Sequence, residues 1–252
     1  MIGQQEESAL GITAGVIAAL AAQHDPGHVK FVLLDGTPSD GPNADVLGGV
    51  VSALPHEVER GTTRTLPRIV NELAEEVERR RMDESPDSTP IYIFIHDLNR
   101  FRDLRKKEDD FGFGSYGSEG SPPPSPSKQF ATILREGPMV NIHAIVWCDT
   151  VNNLNRTFDR QALGEFEMRV LFQMSSNDSS SLIDSPAAGK LGTNRAYFHS
   201  EEQGRIEKFR PYGLPTPTFL NSLRERLAAK PNVVREKPVA EAVEGEVVED
   251  AV

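Results

Sequence analysis

Short apolar runs alternate along the chain with longer stretches in which apolar residues recur every three or four positions. Leu10, Ile17 and Leu20 predict a helix over Glu7–Gln23, and Leu66–Met82 predicts a second helix with one apolar face. Runs rich in Val, Ile and Phe predict strands at Val29–Asp35, Ile91–Ile95, Asn141–Trp147, Met168–Met174 and, as an edge strand, Arg195–Phe198. Continuous apolar strands separated by helices indicate an α/β fold with a parallel sheet covered on both faces.

Two segments depart from this pattern. Residues 106–128 are rich in Gly, Ser and Pro, which predicts a mobile insertion in a domain that spans residues 1–225. The alternative is that its aromatic residues dock on a partner. Residues 226–252 are predicted to form an acidic disordered tail, because from Pro231 onward there are six acidic and two basic residues and no aromatic residue. A partner-binding peptide is the alternative there.

Composition excludes several classes of protein. The net charge of -11 argues against a nucleic-acid binder that uses its whole surface, although it leaves room for a local basic patch. The single cysteine, Cys148, excludes a disulfide framework and a cysteine-based zinc site, and fits a reducing cytosol. The longest apolar stretch, Ile12–Ala22, is far shorter than the ~20 residues that a membrane span needs. We therefore expect a cytoplasmic protein without direct membrane insertion.

Several stretches, in order along the chain, share the pattern of one known family. The longest is Met168–Asp184, which follows Arg-Ile-Ala-Phe-x-Val-Ser-Ser-x-x-Asp-Ser-Arg-x-Ile-Leu-Asp nearly residue for residue. The others are Val29–Asp35, Pro55-His56 with the following helix to Met82, Asn141–Asp149 and Ala188–Gly192. From about Gly3 to about Gly213 the sequence resembles the motor domains of FtsK/SpoIIIE-type DNA translocases, in the FtsK/HerA superfamily. The resemblance implies a RecA-like P-loop NTPase fold, with a largely parallel sheet and helices on both faces.

The phosphate-binding position of that family is altered in this chain. A P-loop, Gly-x-x-x-x-Gly-Lys-Ser/Thr, wraps phosphates with backbone amides, and its lysine neutralises their charge. The corresponding stretch here is Gly3-Gln4-Gln5-Glu6-Glu7-Ser8, which has no lysine and two carboxylates. Two unit charges ~4 Å apart repel by ~1 kcal/mol in water and ~4 kcal/mol near a protein surface. Several such contacts outweigh the ~0.3–1 kcal/mol that a helix N-terminus contributes, so the sequence predicts an unoccupied loop.

The metal-binding and catalytic positions implied by the resemblance are altered as well. The strand Ile91–Ile95 is followed by His96 and Asp97 where the family has the magnesium-binding Asp and the catalytic Glu. A histidine is a poor ligand for a hard cation that prefers oxygen. Asp149 stands at the position of the family's sensor glutamine. Asp97 is the one candidate catalytic residue, and only if the site is active.

These changes predict a nucleotide-silent domain that is a structural or regulatory part of a DNA-translocating motor, with no cofactor expected. Two alternatives stay open: the equivalent domain of a type VII-like protein-secretion ATPase, or an active ATPase with a divergent site that binds ATP and magnesium. The resemblance implies that the partners are other motor domains of the same or a longer chain, in a possible ring oligomer, with DNA bound through the motor.

The start of the chain raises a further expectation. Only Met1 and Ile2 precede Gly3, although a central strand precedes the P-loop in the family. Either these two residues are what remains of that strand, or the sequence begins inside a longer polypeptide. We favour a C-terminal portion of a larger chain whose other motor domain keeps a working P-loop.

Two further surfaces carry open alternatives. A basic cluster follows the strand Ile91–Ile95 and is either a solvated loop or a contact with DNA or a neighbouring subunit; it consists of Arg100, Arg102, Arg105, Lys106 and Lys107. The polar run Ser175–Ser181 is either a solvated loop or a surface for packing between subunits. His24 and His28 flank a turn and His143 lies in a strand, so we expect no metal site at these histidines.

Overall fold

The protein is an α/β structure that combines a four-stranded parallel sheet with a three-stranded antiparallel sheet. The structure is a computed structural model and describes residues 1–83, 89–106 and 124–229. The strands are β1 (Lys30–Asp35), β2 (Val58–Gly61), β3 (Ile91–His96), β4 (Ile142–Val146), β5 (Met168–Leu171), β6 (Ala196–Ser200) and β7 (Arg205–Phe209). The helices are α1 (Glu6–Gln23), α2 (Val46–Val51), α3 (Leu66–Met82), α4 (Pro126–Glu136), α5 (Val151–Thr157), α6 (Arg160–Gly164), α7 (Ser176–Ile183) and α8 (Pro217–Ala228).

Helices cover both faces of the parallel sheet, whose order is β2-β1-β3-β4. Alternate residues of β1 show this arrangement. Val32 and Leu34 belong to the apolar cluster that contains residues of α3 and α4, whereas Phe31 and Leu33 belong to the cluster that contains residues of α1 and α2. Because both faces are buried, the strand is apolar at every central position rather than at every second one. The α/β class predicted from the sequence is confirmed.

Ile2 links the two sheets. It forms parallel bridges with Cys148, just after β4, and with Leu171 at the end of β5. The Ile2 amide donates to the Val170 carbonyl at 2.9 Å, and the Phe172 amide donates to the Ile2 carbonyl at 2.9 Å. The backbone of Ile2 is therefore paired with Cys148 on one side and with Leu171 on the other. This is the place at which the family resemblance implies a central strand.

The antiparallel sheet differs from the sequence prediction. Its order is β5-β6-β7, so the predicted edge strand Arg195–Phe198 is wrong in position: β6 lies between two partners. The edge strand is β7, which the sequence analysis did not predict. Three of its five residues are charged, and the strand is largely exposed. It forms a hairpin with β6, in which Tyr197 lies opposite Lys208.

Helix α3 confirms its predicted bounds, and its apolar face is buried. Its charged residues form short-range pairs, as in Arg79 with Glu76. Arg80 is an exception because its side chain is buried and donates to the carbonyls of Thr89 at 2.8 Å and Val140 at 3.0 Å. It thus fixes the end of α3 to the chain beside β3 and β4.

The predicted insertion and tail lie mostly outside the described residues. Residues 107–123 and 230–252 are not among them. The last three positions of the predicted insertion, 126–128, belong to α4, which Ser125 caps by accepting from the Lys128 amide. Helix α8 continues through the predicted domain boundary at residue 225 and ends at Ala228. No helix in the described part is long and apolar enough to cross a membrane.

Candidate nucleotide-binding site

The carboxyl ends of β3 and β4 and the N-terminus of α1 meet at one cleft of about 540 Å³. Parallel strands bring their following residues to the same edge of the sheet, which is where ligands bind in open α/β folds. Three of the sequence-predicted residues, Glu6, Asp97 and Asp149, line this cleft. Its other walls are formed by Pro38, Thr63, Asn99, Trp147 and the guanidinium groups of Arg100, Arg102 and Arg105.

The turn at the P-loop position has only three residues. Gly3, Gln4 and Gln5 connect Ile2 to α1, which begins at Glu6. Gly3 has a φ of 124°, and a Cβ atom there would lie 2.8 Å from the Cβ of Phe172, so the position needs glycine for packing. The Gln5 side-chain carbonyl accepts from the Asn194 amide at 3.1 Å. The turn is therefore packed against the protein, and it is too short to wrap a phosphate as the eight-residue motif does.

The rest of the predicted phosphate-binding stretch belongs to α1. Glu6 and Glu7 occupy the first turn of the helix, where carboxylates stabilise the positive end of the helix dipole. Ser8 is buried, and its hydroxyl points to the Gln5 side chain at a distance of 3.5 Å. Acidic residues thus take the place of the cationic lysine at an end of the helix that otherwise favours anions.

Trp147 closes the floor of the cleft. Its indole N–H donates to the Gly3 carbonyl at 3.1 Å, and only 5 % of the residue is exposed. Its ring stacks on the imidazole of His96 with the ring centroids 4.4 Å apart. The sequence analysis missed this residue. The available signal was a large aromatic residue at the position where the resembled strand, Gly-Ile-His-Leu-Ile-Leu-Ala-Thr-Gln, has alanine.

His96, at the expected magnesium-binding position, lies under Trp147 in the protein interior. It is 1 % exposed, and neither ring nitrogen has a hydrogen-bond partner within the described ranges. Burial lowers the pKa of His96 to about 4, although nearby Asp35 acts in the opposite direction. The ring is therefore neutral at physiological pH, and its role in this geometry is packing against the indole.

A pH dependence of stability follows from His96. Its pKa is near 6.5 in an unfolded chain and about 4 in the folded protein, so the unfolded state binds more protons between these values. The free energy of unfolding is expected to fall as the pH drops from about 6.5 to about 4 because of this group. Urea unfolding at a series of pH values should show a smaller fall for His96→Phe than for the wild type. Identical pH profiles would contradict the assignment of a buried neutral imidazole.

Asp97 lies among like charges. Its pKa is raised, mainly by burial, with the nearby carboxylates Asp149 and Glu6 acting in the same direction and Arg100 opposing them. The Arg100 Nε donates to its carboxylate at 3.3 Å. The backbone of Asp97 is left-handed, with a φ of 56°. Gly36 packs against it so closely that a Cβ at Gly36 would lie 2.9 Å from the Asp97 carbonyl oxygen.

Asp149, at the sensor position, is occupied by protein groups. Its carboxylate accepts from the Asn153 side-chain amide at 2.8 Å and from the Thr150 hydroxyl at 3.4 Å. These contacts tie it to the start of α5. A glutamine at the sensor position would offer an N–H donor, whereas this carboxylate offers only acceptors.

The basic cluster forms one wall of the cleft. Arg105 donates to the Asn99 side chain at 2.7 Å, and Lys106 donates to the Phe158 carbonyl at 3.2 Å. Arg102 is exposed. Lys107 lies outside the described residues, so the structure places only four members of the predicted cluster. Three of them, Arg100, Arg105 and Lys106, are held by hydrogen bonds within the domain.

The polar run Ser175–Ser181 is largely a helix, not a loop. Ser175 caps α7 by accepting from the Asp178 amide at 3.1 Å, and its hydroxyl donates to the Asp178 carboxylate at 2.8 Å. Ser179 is fully buried and bonds to the Ser185 carbonyl and the Ala188 amide. Part of the run therefore stabilises the domain itself, and only its exposed residues remain available for a subunit contact.

His143, one of the histidines considered in the sequence analysis, lies in β4. His143 faces the Asn141 side chain at 3.1 Å and stacks on Tyr92 with ring centroids 5.6 Å apart. The described residues contain no group of three or more His, Cys, Asp or Glu side chains that could hold a metal ion.

Comparison with known proteins gives a structural likeness and no sequence match. The sequence matches no protein-family model and no curated protein. The fold is similar to the cytoplasmic domain of the Thermomonospora curvata type VII secretion ATPase EccC, with a TM-score of 0.64 and 16% identity over 94% of this chain and 29% of that one. It is also similar to EssC (ATPases 2 and 3) from Geobacillus thermodenitrificans, with a TM-score of 0.61 and 14% identity over 90% of this chain and 42% of that one.

A third structure of similar fold is the pCW3 conjugation coupling protein TcpA, described in its monomer form with ATPγS. The TM-score is 0.58 and the identity 12%, over 89% of this chain and 63% of that one. This chain spans less than two thirds of the length of each of these three proteins. With strands, helices and cleft placed as described, the chain shares the α/β fold of these ATPase structures.

Proposed function

We propose that this chain is a nucleotide-silent motor domain that acts as a structural or regulatory module of an FtsK/HerA-type translocase. The observation that carries the proposal is the three-residue turn Gly3–Gln5, whose first carbonyl is held by the indole of Trp147. A turn of this length lacks the backbone amides that would surround a triphosphate. Gly3 packs against Phe172, and the Gln5 side chain accepts a hydrogen bond from the Asn194 backbone amide. Both contacts support a turn that keeps this conformation.

The three acidic residues of the cleft support the same proposal, although Arg100, Arg102 and Arg105 line it as well. Glu6, Asp97 and Asp149 face the space in which phosphates and magnesium would bind in an active member of the fold. An ATP–magnesium site would require Asp97 as the group that activates water, with a hard oxygen ligand on the neighbouring strand end. His96 does not supply that ligand because it is buried and neutral. The residues present do not fit the magnesium-bound nucleotide, and we derive no catalytic step through it.

The proposed role is to associate with other motor domains of the same or a longer chain, in a ring if the motor forms one. A domain that keeps the fold but loses the chemistry can still fill a position between active subunits. DNA is the cargo that the sequence resemblance suggests. The likeness to EccC and EssC supports the second candidate, a module of a type VII-like protein-secretion motor.

Calorimetric titration of the full chain with ATP and MgCl₂ tests the proposal. We expect no saturable binding, with a dissociation constant weaker than about 1 mM, which corresponds to about 4 kcal/mol. No phosphate release above the rate in buffer is expected either. A dissociation constant in the low micromolar range would overturn the proposal in favour of a divergent active ATPase. Phosphate release that Asp97→Asn abolishes would do the same and would identify Asp97 as catalytic.

A further inference from the structure

Helix α1 is apolar on all sides, yet one of its sides borders an open groove. No charged residue occurs from Ser8 to Gln23. A helix with this composition is normally buried all round. Leu10 and Ile17 are buried against the sheet, whereas Gly15 and Ala19 line a groove of about 870 Å³ on another side of the helix.

The other walls of the groove are helix α8 and the segment 212–216 that precedes it. This segment crosses α1 at Gly11, where a Cβ atom would lie 2.3 Å from the Tyr212 carbonyl oxygen, so the small residue is needed for the crossing. Beyond the crossing the groove is open. Two aromatic residues at its rim are exposed, Tyr212 to 76 % and Phe219 to 42 %. The groove thus offers apolar surface that the described residues do not cover.

We infer that residues 231–252 of the same chain bind in this groove. Helix α8, which forms one wall through Leu223, Arg226 and Leu227, is the last element of the described part and ends at Ala228. The described part of the chain therefore ends beside the groove. The 22 residues from 231 to 252 reach up to roughly 70 Å when extended, which is ample to turn back along α1.

The chemistry of the segment matches that of the groove. Its apolar residues are small, only Val, Ala, Pro and Gly, and the floor of the groove is formed by Gly and Ala of α1. Among the described residues that line the groove, Arg226 is the one that carries a charge. The segment carries six acidic residues against two basic ones. We assign the acidic excess of the segment to Arg226, and the adjacent carboxylates Glu249 and Asp250 provide the test of this contact.

Site-specific photo-crosslinking in the full chain tests this inference. Ser222 is exposed and lines the groove, so Ser222→Cys can carry a benzophenone maleimide. Cys148 should not react, because it is buried and its thiol pKa is raised to about 12. After irradiation, mass spectrometry should find intramolecular crosslinks from position 222 to residues 231–252. The matched control is Met139→Cys, at a residue that is 88 % exposed and does not line the groove, and its yield of such crosslinks should be at least fivefold lower.

A charge exchange tests the assigned contact. Arg226→Glu, at an exposed position, should lower the crosslink yield from position 222 several-fold, and adding Glu249→Lys with Asp250→Lys should restore it. Crosslinks that join two chains would overturn the inference and identify a second copy as the occupant. Crosslinks confined to residues 1–229, or equal yields from positions 222 and 139, would also overturn it. A yield that Arg226→Glu leaves unchanged would refute the assigned pairing of Arg226.

Discussion

Trp147→Ala is expected to lower the free energy of unfolding by about 3–5 kcal/mol, the usual cost of removing a buried large aromatic side chain. The substitution removes the stacking on His96 and the hydrogen bond to the Gly3 carbonyl. It also leaves a cavity between the turn Gly3–Gln5 and the end of β3. Urea unfolding followed by circular dichroism measures the effect, because Trp147 is the only tryptophan and fluorescence would be lost with it.

Trp147→Phe is the matched control. Phenylalanine keeps an aromatic ring against His96 but has no N–H for the Gly3 carbonyl. The loss of the single hydrogen bond costs ~0.5–1.5 kcal/mol, to which the smaller ring adds a packing loss, so this variant should lie clearly between the wild type and Trp147→Ala. Equal stability of all three proteins would show that the indole does not hold the turn.

Trp147→Ala also separates two reasons for nucleotide silence. If the short turn is decisive, the variant still binds no ATP, because the turn Gly3–Gln5 is no longer than before. If the indole were the only obstacle, the variant would bind ATP in the low micromolar range. Titration with ATP and MgCl₂ under conditions in which the variant is folded distinguishes the two explanations.

The sequence predicted three of the four strands of the parallel sheet, because local patterns determine them; the short and largely polar β2 was not predicted. The face of α3 and the continuous apolar run of β3 each reflect burial that is visible in a single stretch of residues. The hairpin β6–β7 was not predicted correctly. Its edge strand is exposed and charged, so its pairing depends on the tight turn and on β6 rather than on its own hydrophobicity.

The candidate site was predicted by position but not by packing. One cleft is lined by Glu6, Asp97 and Asp149. This follows from the order of the elements, since all three residues lie at the same edge of the sheet. The indole bond to Gly3 joins residues 144 positions apart in the chain, and no local pattern indicates it. The same holds for Arg80, whose side chain bonds to the Val140 carbonyl 60 positions away in the chain.

Arg169 illustrates how such long-range contacts change an expected effect. From the sequence alone, Asp178→Lys together with Arg169→Glu is expected to weaken packing between subunits through Ser175–Ser181 and to leave thermal stability nearly unchanged. In the structure the Arg169 guanidinium donates to the carbonyls of Phe166 at 3.0 Å, Leu182 at 2.6 Å and Leu163 at 3.2 Å. It also pairs with Glu201 at 2.9 Å. Arg169 therefore joins β5 to the chain before it, to α7 and to the residue after β6.

Arg169→Glu is consequently expected to lower the free energy of unfolding by about 2–3 kcal/mol. The partly exposed guanidinium loses its hydrogen bonds to three carbonyls, and hydrogen bonds to charged groups are worth ~1.5–3 kcal/mol. The new carboxylate would face three carbonyl oxygens and the Glu201 carboxylate, all of which are acceptors. Arg156→Glu is the control, because Arg156 is exposed and donates to one side chain at 3.4 Å; its effect should stay within ~0.5 kcal/mol. Equal urea midpoints for the two variants would refute this role of Arg169. A changed sedimentation coefficient of Arg169→Glu would indicate unfolding rather than the loss of a subunit contact. A test of subunit packing through α7 therefore needs a substitution at an exposed residue such as Asn177.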